Sequence, residues 1–306
     1  MVNILNPANE QFVNNVDTIQ QRLNQVTQQL SSGYRIQQAS DDPSVLGDLF
    51  QTRSDFAHVT QVDQNLNLVK AEVTTADSSV QSAVQLLDNV RTLAEQGANT
   101  TTSAQQQTAL ASQVESVLEQ LVGLTRTQVN GVYIFSGDQT SSPPYQVDAN
   151  SANGVDRLVT APATRQIQDP TGLTFAVAQT AQDLFDKRDA SDNFAPENVF
   201  AAVHNIQIAL QNNDQPGLTT AIGQLQTAED YLNQQSTFYG AVENRIASAT
   251  DLAQKFQTQL QAQLSSEQDT NVPAAALQLT QDTTDLNAAL AAQAKRPTTS
   301  LFDYIK

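Results

Sequence analysis

The chain has 306 residues, a net charge of −17, and no cysteine or tryptophan. The acidic balance argues against nucleic acid or an anionic membrane as a partner, because both are held by clustered lysine and arginine. The absence of cysteine excludes disulfides and thiolate metal sites, and two histidines leave little for imidazole chemistry.

An apolar stripe near the start of the chain, with alternating steps of four and three residues, predicts an amphipathic helix. The stripe consists of Phe12, Val16, Ile19, Leu23, Val26 and Leu30. Asp42 is then predicted to cap a helix that has Pro43 in its first turn. A longer stripe follows and predicts a long helix; its members are Val59, Val62, Leu66, Val69, Val73, Ala76, Val80, Ala83, Leu87, Val90 and Ala94. After a break at Thr100–Ser103, a third stripe runs through Leu110, Val114, Val117, Leu121 and Leu124.

The pattern changes between residues 131 and 194, where glycine and proline separate short β-prone runs. The predicted strands are Val132–Phe135, Arg157–Thr160 and Leu173–Val177. Helix is predicted again from Pro196, with a break near Asn212–Asp214 and a restart after Pro216–Gly217. The last predicted helix has a stripe made of Val272, Ala276, Leu279, Thr283, Leu286 and Leu290.

These elements predict a mainly α fold, namely an elongated antiparallel helical bundle or coiled coil formed by N- and C-terminal arms, with a small β-containing inserted domain. We expect terminal coiled-coil arms at 1–58 and 265–306, a helical rod at 59–130 and 195–264, and the insertion at 131–194. The long middle stripe is expected to pair within the chain. A helix of about 20 residues is marginal alone in water, so the terminal stripes need each other or neighbouring molecules.

The sequence contains no pattern of catalytic or ligand-binding residues. Asp41 and Asp42 could form a carboxylate pair for a metal ion, but helix capping explains Asp42 better. His58 and His204 have no partners at ligand spacing, and phosphate-binding, nucleophile-elbow and zinc-protease motifs do not occur. We therefore expect no enzyme activity, no cofactor and no metal. Residues 1–7 lack the features of a secretory signal, and no run of about 18 apolar residues predicts a membrane span.

Two separated segments resemble the signatures of the bacterial flagellin family. Leu30–Ile36, followed by Ala39–Pro43, is similar to the N-terminal signature of that family. Tyr239–Arg245 is similar to the Gly-Ala-x-x-Asn-Arg element near its C-terminus, and residues 264–294 resemble its last helix. The insertion is not covered by this resemblance.

Within the family, three features resemble the branch that joins the flagellar hook to the filament, hook-associated protein 3. They are Pro43, the segment Gly131–Gly137, which is similar to a Gly-x-Tyr-Leu-Phe-x-Gly strand, and the ending Ser300–Ile305. The start Met1–Asn3 departs from the Met-Arg-Ile-Ser start frequent in that branch. The motif positions that the resemblance singles out are Gly33, Arg35, Asp41, Asp42, Pro43, Tyr133, Phe135, Asn244 and Arg245.

The resemblance implies a structural subunit of the bacterial flagellum, extracellular at the hook–filament junction and exported without a cleaved signal peptide. The implied partners are hook-associated protein 1, flagellin, copies of the same chain and an export chaperone, without nucleic acid or membrane insertion. The stripes of the two terminal helices are expected to drive assembly, and Arg35 and Arg245 to form ion pairs that lock the terminal arms to the rod. Flagellin itself is the alternative function. An intracellular coiled-coil scaffold or signalling protein would share the heptads but not the two signatures.

Overall fold

The computed structural model describes residues 7–295, with side chains from Glu10 onward. Over this range the chain is mostly helical, and six short strands lie between the third and fourth helices. The helices are α1 (Pro7–Ser32), α2 (Leu46–Ala98), α3 (Ala104–Thr125), α4 (Ala181–Phe185), α5 (Val199–Gln211), α6 (Gln215–Gln268) and α7 (Val272–Ala294). The strands are β1 (Gln128–Val129), β2 (Val132–Tyr133), β3 (Tyr145–Val147), β4 (Val155–Arg157), β5 (Gln166–Gln168) and β6 (Thr174–Ala176). The predicted mainly α fold with a small β-containing region is confirmed.

The described residues divide into two compact units. Those up to His58 and those from Phe256 onward form the terminal unit, and Val59–Lys255 form the central unit. In the terminal unit α1 packs on α7, and a small apolar cluster is centred on Ile36, Leu49 and Leu264. In the central unit one large apolar core includes residues of α2, α3, α5 and α6 together with the strands.

Helix α2 supplies the longest apolar stripe of the central unit. All eleven predicted positions from Val59 to Ala94 are buried, and Leu66, Val80 and Leu87 are fully so. Because the steps between these positions alternate between three and four, they fall on one side of the helix. The stripe predicted from the sequence is therefore the face that α2 contributes to the core.

The breaks between the long helices follow the capping signals. Helix α3 begins after Ser103, which exchanges hydrogen bonds with Gln106 in a capping box. Helix α6 begins at Gln215, slightly earlier than the sequence predicts, and the carboxylate of Asp214 accepts a hydrogen bond from the amide of Gly217. Proline is tolerated in the first turn because no helical hydrogen bond of its amide is lost there.

The strands form three separate antiparallel hairpins, β1–β2, β3–β4 and β5–β6. The first turn consists of Asn130 and Gly131, whose φ angles of 53° and 78° are those of a two-residue hairpin loop. The predicted strand Val132–Phe135 is shorter than expected, because Phe135 turns into the core and packs edge-on against Phe185 with ring centres 6.3 Å apart. A strand is predicted to begin at Arg157, whereas the observed strand β4 ends at that residue.

A buried carboxylate holds the β region to the helices of the central unit. Asp186 is fully buried and accepts hydrogen bonds from the Tyr145 hydroxyl at 2.9 Å, Asn153 Nδ2 at 3.1 Å and Asn198 Nδ2 at 2.8 Å. Arg188 Nε donates a fourth hydrogen bond at 2.9 Å. Burial, and secondarily the charge of Asp186, raises the pKa of Tyr145 far above its ordinary value. Four donors therefore compensate the removal of this charge from water.

Candidate assembly site

The two terminal helices meet where α1 ends and α7 begins. The chain leaves α1 through Gly33, whose φ of 78° favours glycine. The amide of Thr270 donates to the carbonyl of Gly33 at 2.8 Å, and the amide of Arg35 donates to the carbonyl of Gln268 at 2.6 Å. These backbone hydrogen bonds join the segment after α1 to the segment between α6 and α7.

Arg35 connects the loop after α1 to the end of α6. Its Nη1 donates to Asp42 Oδ2 and its Nη2 donates to the carbonyl of Glu267, both at 2.8 Å. Carbonyls in the last turn of a helix lack intrahelical partners and carry partial negative charge, so a guanidinium is favourable there. The hydrogen bond from Arg35, followed by that from Ser44, lowers the pKa of Asp42. The ion pair that Arg35 forms lies within the terminal unit, with Asp42 as its partner, and a lock between the arms and the rod stays a prediction.

Asp41 and Asp42 organise the turn that precedes α2. Asp41 accepts hydrogen bonds from the amides of Gln38 and Gln37, each at 2.8 Å, and these lower the pKa of its carboxyl. The prediction that Asp42 caps α2 is wrong, because the helix begins at Leu46 and the Asp42 carboxylate is bound to Arg35 and the Ser44 hydroxyl. Pro43 lies in the turn between Asp42 and Leu46 and is not part of α2.

The predicted stripe of α1 lies on one side of that helix. Val26 is buried, and the other five positions, Phe12, Val16, Ile19, Leu23 and Leu30, are half-buried. Val13, next to the stripe, is 53 % exposed. The face of α1 is therefore covered only in part within one copy of the chain.

The predicted stripe of α7 is divided between two environments. Leu279 and Leu286 are half-buried, whereas Val272 is 55 % and Leu290 51 % exposed, and Ala276 is also exposed. The buried positions of α7 are Ala275 and Asp282, which the apolar pattern omits. The apolar pattern does not reveal Asp282, because a charged residue is not expected on a buried helix face. Its spacing from Ala275 nevertheless places the two on the same side of α7.

The other motif positions lie in the central unit. Tyr133 is half-buried in β2, and Asn244 is exposed on α6. The guanidinium of Arg245 lies over the ring of Phe175 at 4.1 Å and 3.9 Å from Asp169 Oδ2. The prediction that Arg245 locks the terminal arms is wrong, because these partners belong to the β5–β6 hairpin. The ending Ser300–Ile305 and the start Met1–Asn3 lie outside the described residues.

Residues 7–295 contain no group of three or more histidine, cysteine, aspartate or glutamate side chains placed to hold a metal ion. Over the same range no helix is long and apolar enough to cross a membrane.

The N-terminal half of the chain matches a known family. Residues 2–140 match the family model of the bacterial flagellin N-terminal helical region. These residues are similar to the N-terminal helical region of bacterial flagellins. Flagellin B of Helicobacter pylori is 33 % identical over 125 residues, which are 40 % of this chain and 24 % of that flagellin. The flagellin of Salmonella paratyphi A is 27 % identical over 244 residues, 79 % of this chain and 46 % of its own length. The chain thus spans about a quarter to about a half of the length of these flagellins.

Solved structures of flagellar proteins share the fold of this chain. A protein of Vibrio parahaemolyticus described as a flagellar hook-associated protein has a TM-score of 0.64 at 16 % identity, covering 75 % of this chain and 100 % of that one. Hook-associated protein 3 of Legionella pneumophila has a TM-score of 0.61 at 13 % identity, covering 71 % and 98 %. FlgL of Bacillus cereus has a TM-score of 0.57 at 19 % identity, covering 70 % and 99 %. At these identities the likeness establishes the fold.

Proposed function

We propose that the chain is a structural subunit of the bacterial flagellum that joins the hook, through hook-associated protein 1, to the flagellin filament. The observation that carries the proposal is the extent of the structural likeness. The fold matches three solved chains of hook-associated proteins over 98 % or more of those chains. The curated flagellins, by contrast, are matched over less than half of theirs.

The surface of the terminal unit fits a subunit that completes its burial in an assembly. Val13, Val272, Leu277 and Leu290 are each more than half exposed, on two helices whose mutual contact leaves them uncovered. Exposed apolar side chains on helices that one copy covers only in part are available for burial in an assembly. In this proposal the stripes of α1 and α7 contact copies of the same chain, hook-associated protein 1 and flagellin.

The proposal places the chain outside the cell, after export without a cleaved signal peptide and delivery by an export chaperone. It assigns no enzymatic role. The division of the chain into three parts remains a prediction: terminal arms at 1–58 and 265–306, a helical rod at 59–130 and 195–264, and the insertion at 131–194. The assembly roles of the stripe and motif positions also remain predictions.

The test is complementation of cells that lack this protein. The full chain is expected to restore filaments and motility, whereas a chain without residues 1–30 should keep a folded middle part and yet fail to restore them, because the α1 stripe is gone. A single substitution tests the exposed face of α7 without a large deletion. Leu290→Gln, at 51 % exposure on α7, should reduce filament number, while Leu173→Gln, at 64 % exposure on the β5–β6 hairpin, should not. Restoration of filaments by the truncated chain would refute the proposed role of α1.

Flagellin itself is the second candidate, and the names of the curated relatives favour it. A flagellin polymerises into long filaments alone, whereas a junction subunit does not, so electron microscopy of the purified chain separates the two functions. Retention of the chain inside export-competent cells would instead favour the intracellular scaffold.

A further inference from the structure

Helix α7 carries two overlapping stripes, each with steps of four and three residues. The inner stripe consists of Ala275, Leu279, Asp282, Leu286, Ala289 and Gln293, all of which are buried or half-buried. The outer stripe consists of Val272, Ala276, Leu279, Thr283, Leu286 and Leu290, of which only the two shared leucines are half-buried. Successive helical residues are about 100° apart, so the two stripes are centred about 50° apart around the helix axis.

The stripe that packs on α1 is the less apolar one. The inner stripe contains a carboxylate at Asp282 and an amide at Gln293, whereas the outer stripe has Val272 and Leu290 and only one hydroxyl, at Thr283. Hydrophobic burial is roughly proportional to the apolar area removed from water, so it favours the outer stripe against α1. A polar contact must therefore hold α7 in the observed orientation.

The contact between Arg22 and Asp282 has the required properties. Arg22 Nη2 lies 3.1 Å from Asp282 Oδ1, and the Asp282 side chain is 1 % exposed. Gln278 Nε2 donates to the second carboxylate oxygen at 3.1 Å, and Arg22, at 46 % exposure, remains partly hydrated. Among the ion pairs of residues 10–295, this is the one that joins α1 to α7. A carboxylate this deeply buried requires a partner, and removing the partner leaves an uncompensated charge.

We propose that the Arg22–Asp282 pair determines which stripe of α7 packs on α1, and thereby keeps the more apolar outer stripe at the surface. Without Arg22, rotation of α7 by about half of the 100° between residues brings Asp282 toward water and the outer stripe onto α1. This role concerns the fold of the terminal unit and does not depend on the proposed function.

Engineered disulfides can report the orientation of α7, because the chain has no cysteine of its own. The helices run antiparallel, so counting six residues outward from Arg22 and from Asp282 places Val16 level with residue 288, next to Ala289 of the inner stripe. Two variants of the full chain share Val16→Cys and carry either Ala289→Cys, on the inner stripe, or Leu290→Cys, on the outer stripe. Disulfides need Cβ atoms about 3.5–4.5 Å apart, so otherwise unmodified chains should cross-link the inner pair about tenfold faster than the outer pair.

Three backgrounds test the role of the ion pair. Arg22→Gln leaves the carboxylate without a cation, so the ratio of inner to outer cross-linking should fall about tenfold, to near one or below. Arg22→Gln combined with Asp282→Leu removes the buried charge and should restore the inner preference. Asp17→Asn, which neutralises an exposed charge on the same helix, should leave the ratio unchanged.

An unchanged ratio in Arg22→Gln would overturn the proposal, since the orientation would then not depend on the pair. If Arg22→Gln abolishes both cross-links, the variant that combines Arg22→Gln with Asp282→Leu distinguishes the two explanations. Return of the inner cross-link in the double variant supports selection by the charge, and its continued absence refutes it. Circular dichroism of each variant monitors helix content in parallel.

Discussion

The buried carboxylate of Asp186 should be the most sensitive polar position of the central unit. In Asp186→Asn the shape is kept, but one accepting oxygen replaces a charged carboxylate that receives four hydrogen bonds. The new amide nitrogen replaces one of the two oxygens, so it faces either the amides of Asn153 and Asn198 or the Arg188 guanidinium and the Tyr145 hydroxyl. Of these groups only the hydroxyl can turn to accept. Arg188, whose side chain is 15 % exposed, also loses its nearest counter-charge.

The expected loss is about 3 kcal/mol in the free energy of unfolding, since breaking a buried pair from one side costs about 3–5 kcal/mol and the tyrosine can recover part of it. For a unit of this size the midpoint of thermal unfolding should fall by about 6–12 °C. Circular dichroism at 222 nm, with tyrosine fluorescence as a second probe, measures both quantities.

Asp192→Asn is the matched control, because Asp192 contacts the same Arg188 at 3.4 Å but is 58 % exposed. Its φ of 62° is one that asparagine adopts readily, so the substitution adds no backbone strain. Exposed pairs contribute about 0–1 kcal/mol, and the control should therefore stay within that range. Equal midpoints for the two variants would refute the argument that burial makes the Asp186 contacts strong.

Three further outcomes follow from single contacts. Burial raises the pKa of Tyr231 to about 12, so its contribution to stability is present below pH 10 and lost as the pH rises toward 12; because burial also raises the pKa of Tyr145 and Tyr239, the test is that thermal unfolding between pH 9 and 12 shows a smaller decline in Tyr231→Phe. Gly97→Ala places a methyl group against Leu210 and should destabilise the central unit by about 1–3 kcal/mol, although alanine is the better helix former. Arg35→Ala should accelerate hydrogen exchange at the amide of Thr270, which bonds to the segment that Arg35 holds; unchanged exchange would contradict the role of that guanidinium.

The parts of the fold that the sequence predicts are those governed by periodic burial. The α2 stripe could be predicted position by position, because apolar residues recur at every third or fourth position and most of the residues between them are polar. The helix breaks could be predicted from Ser103 and Pro216, since capping and proline chemistry act locally.

The parts that the sequence does not predict depend on distant partners. Asp42 precedes a helix as a cap would, but its carboxylate is bound by Arg35, and Arg35 is held in place by the carbonyl of the distant Glu267. In α7 the apolar residues alone select the outer stripe, whereas the buried face includes Asp282, whose partner lies 260 positions earlier at Arg22. Strand β5 consists of Gln166–Gln168, with too little apolar signal to be recognised. Its hairpin is held by contacts with the helices, among them that of Arg165 with Glu72.

The three hairpins also bear on what happens when many copies of the chain are crowded together. Each strand in residues 128–176 is two or three residues long and has one neighbour, so its free edge offers very few backbone groups to a foreign strand. Long, flat edges are the templates for edge-to-edge aggregation, and short ones are a recognised protection against it. Amyloid-like pairing of this region between neighbouring copies is therefore disfavoured, and contacts between copies are expected to involve the side chains of their helices.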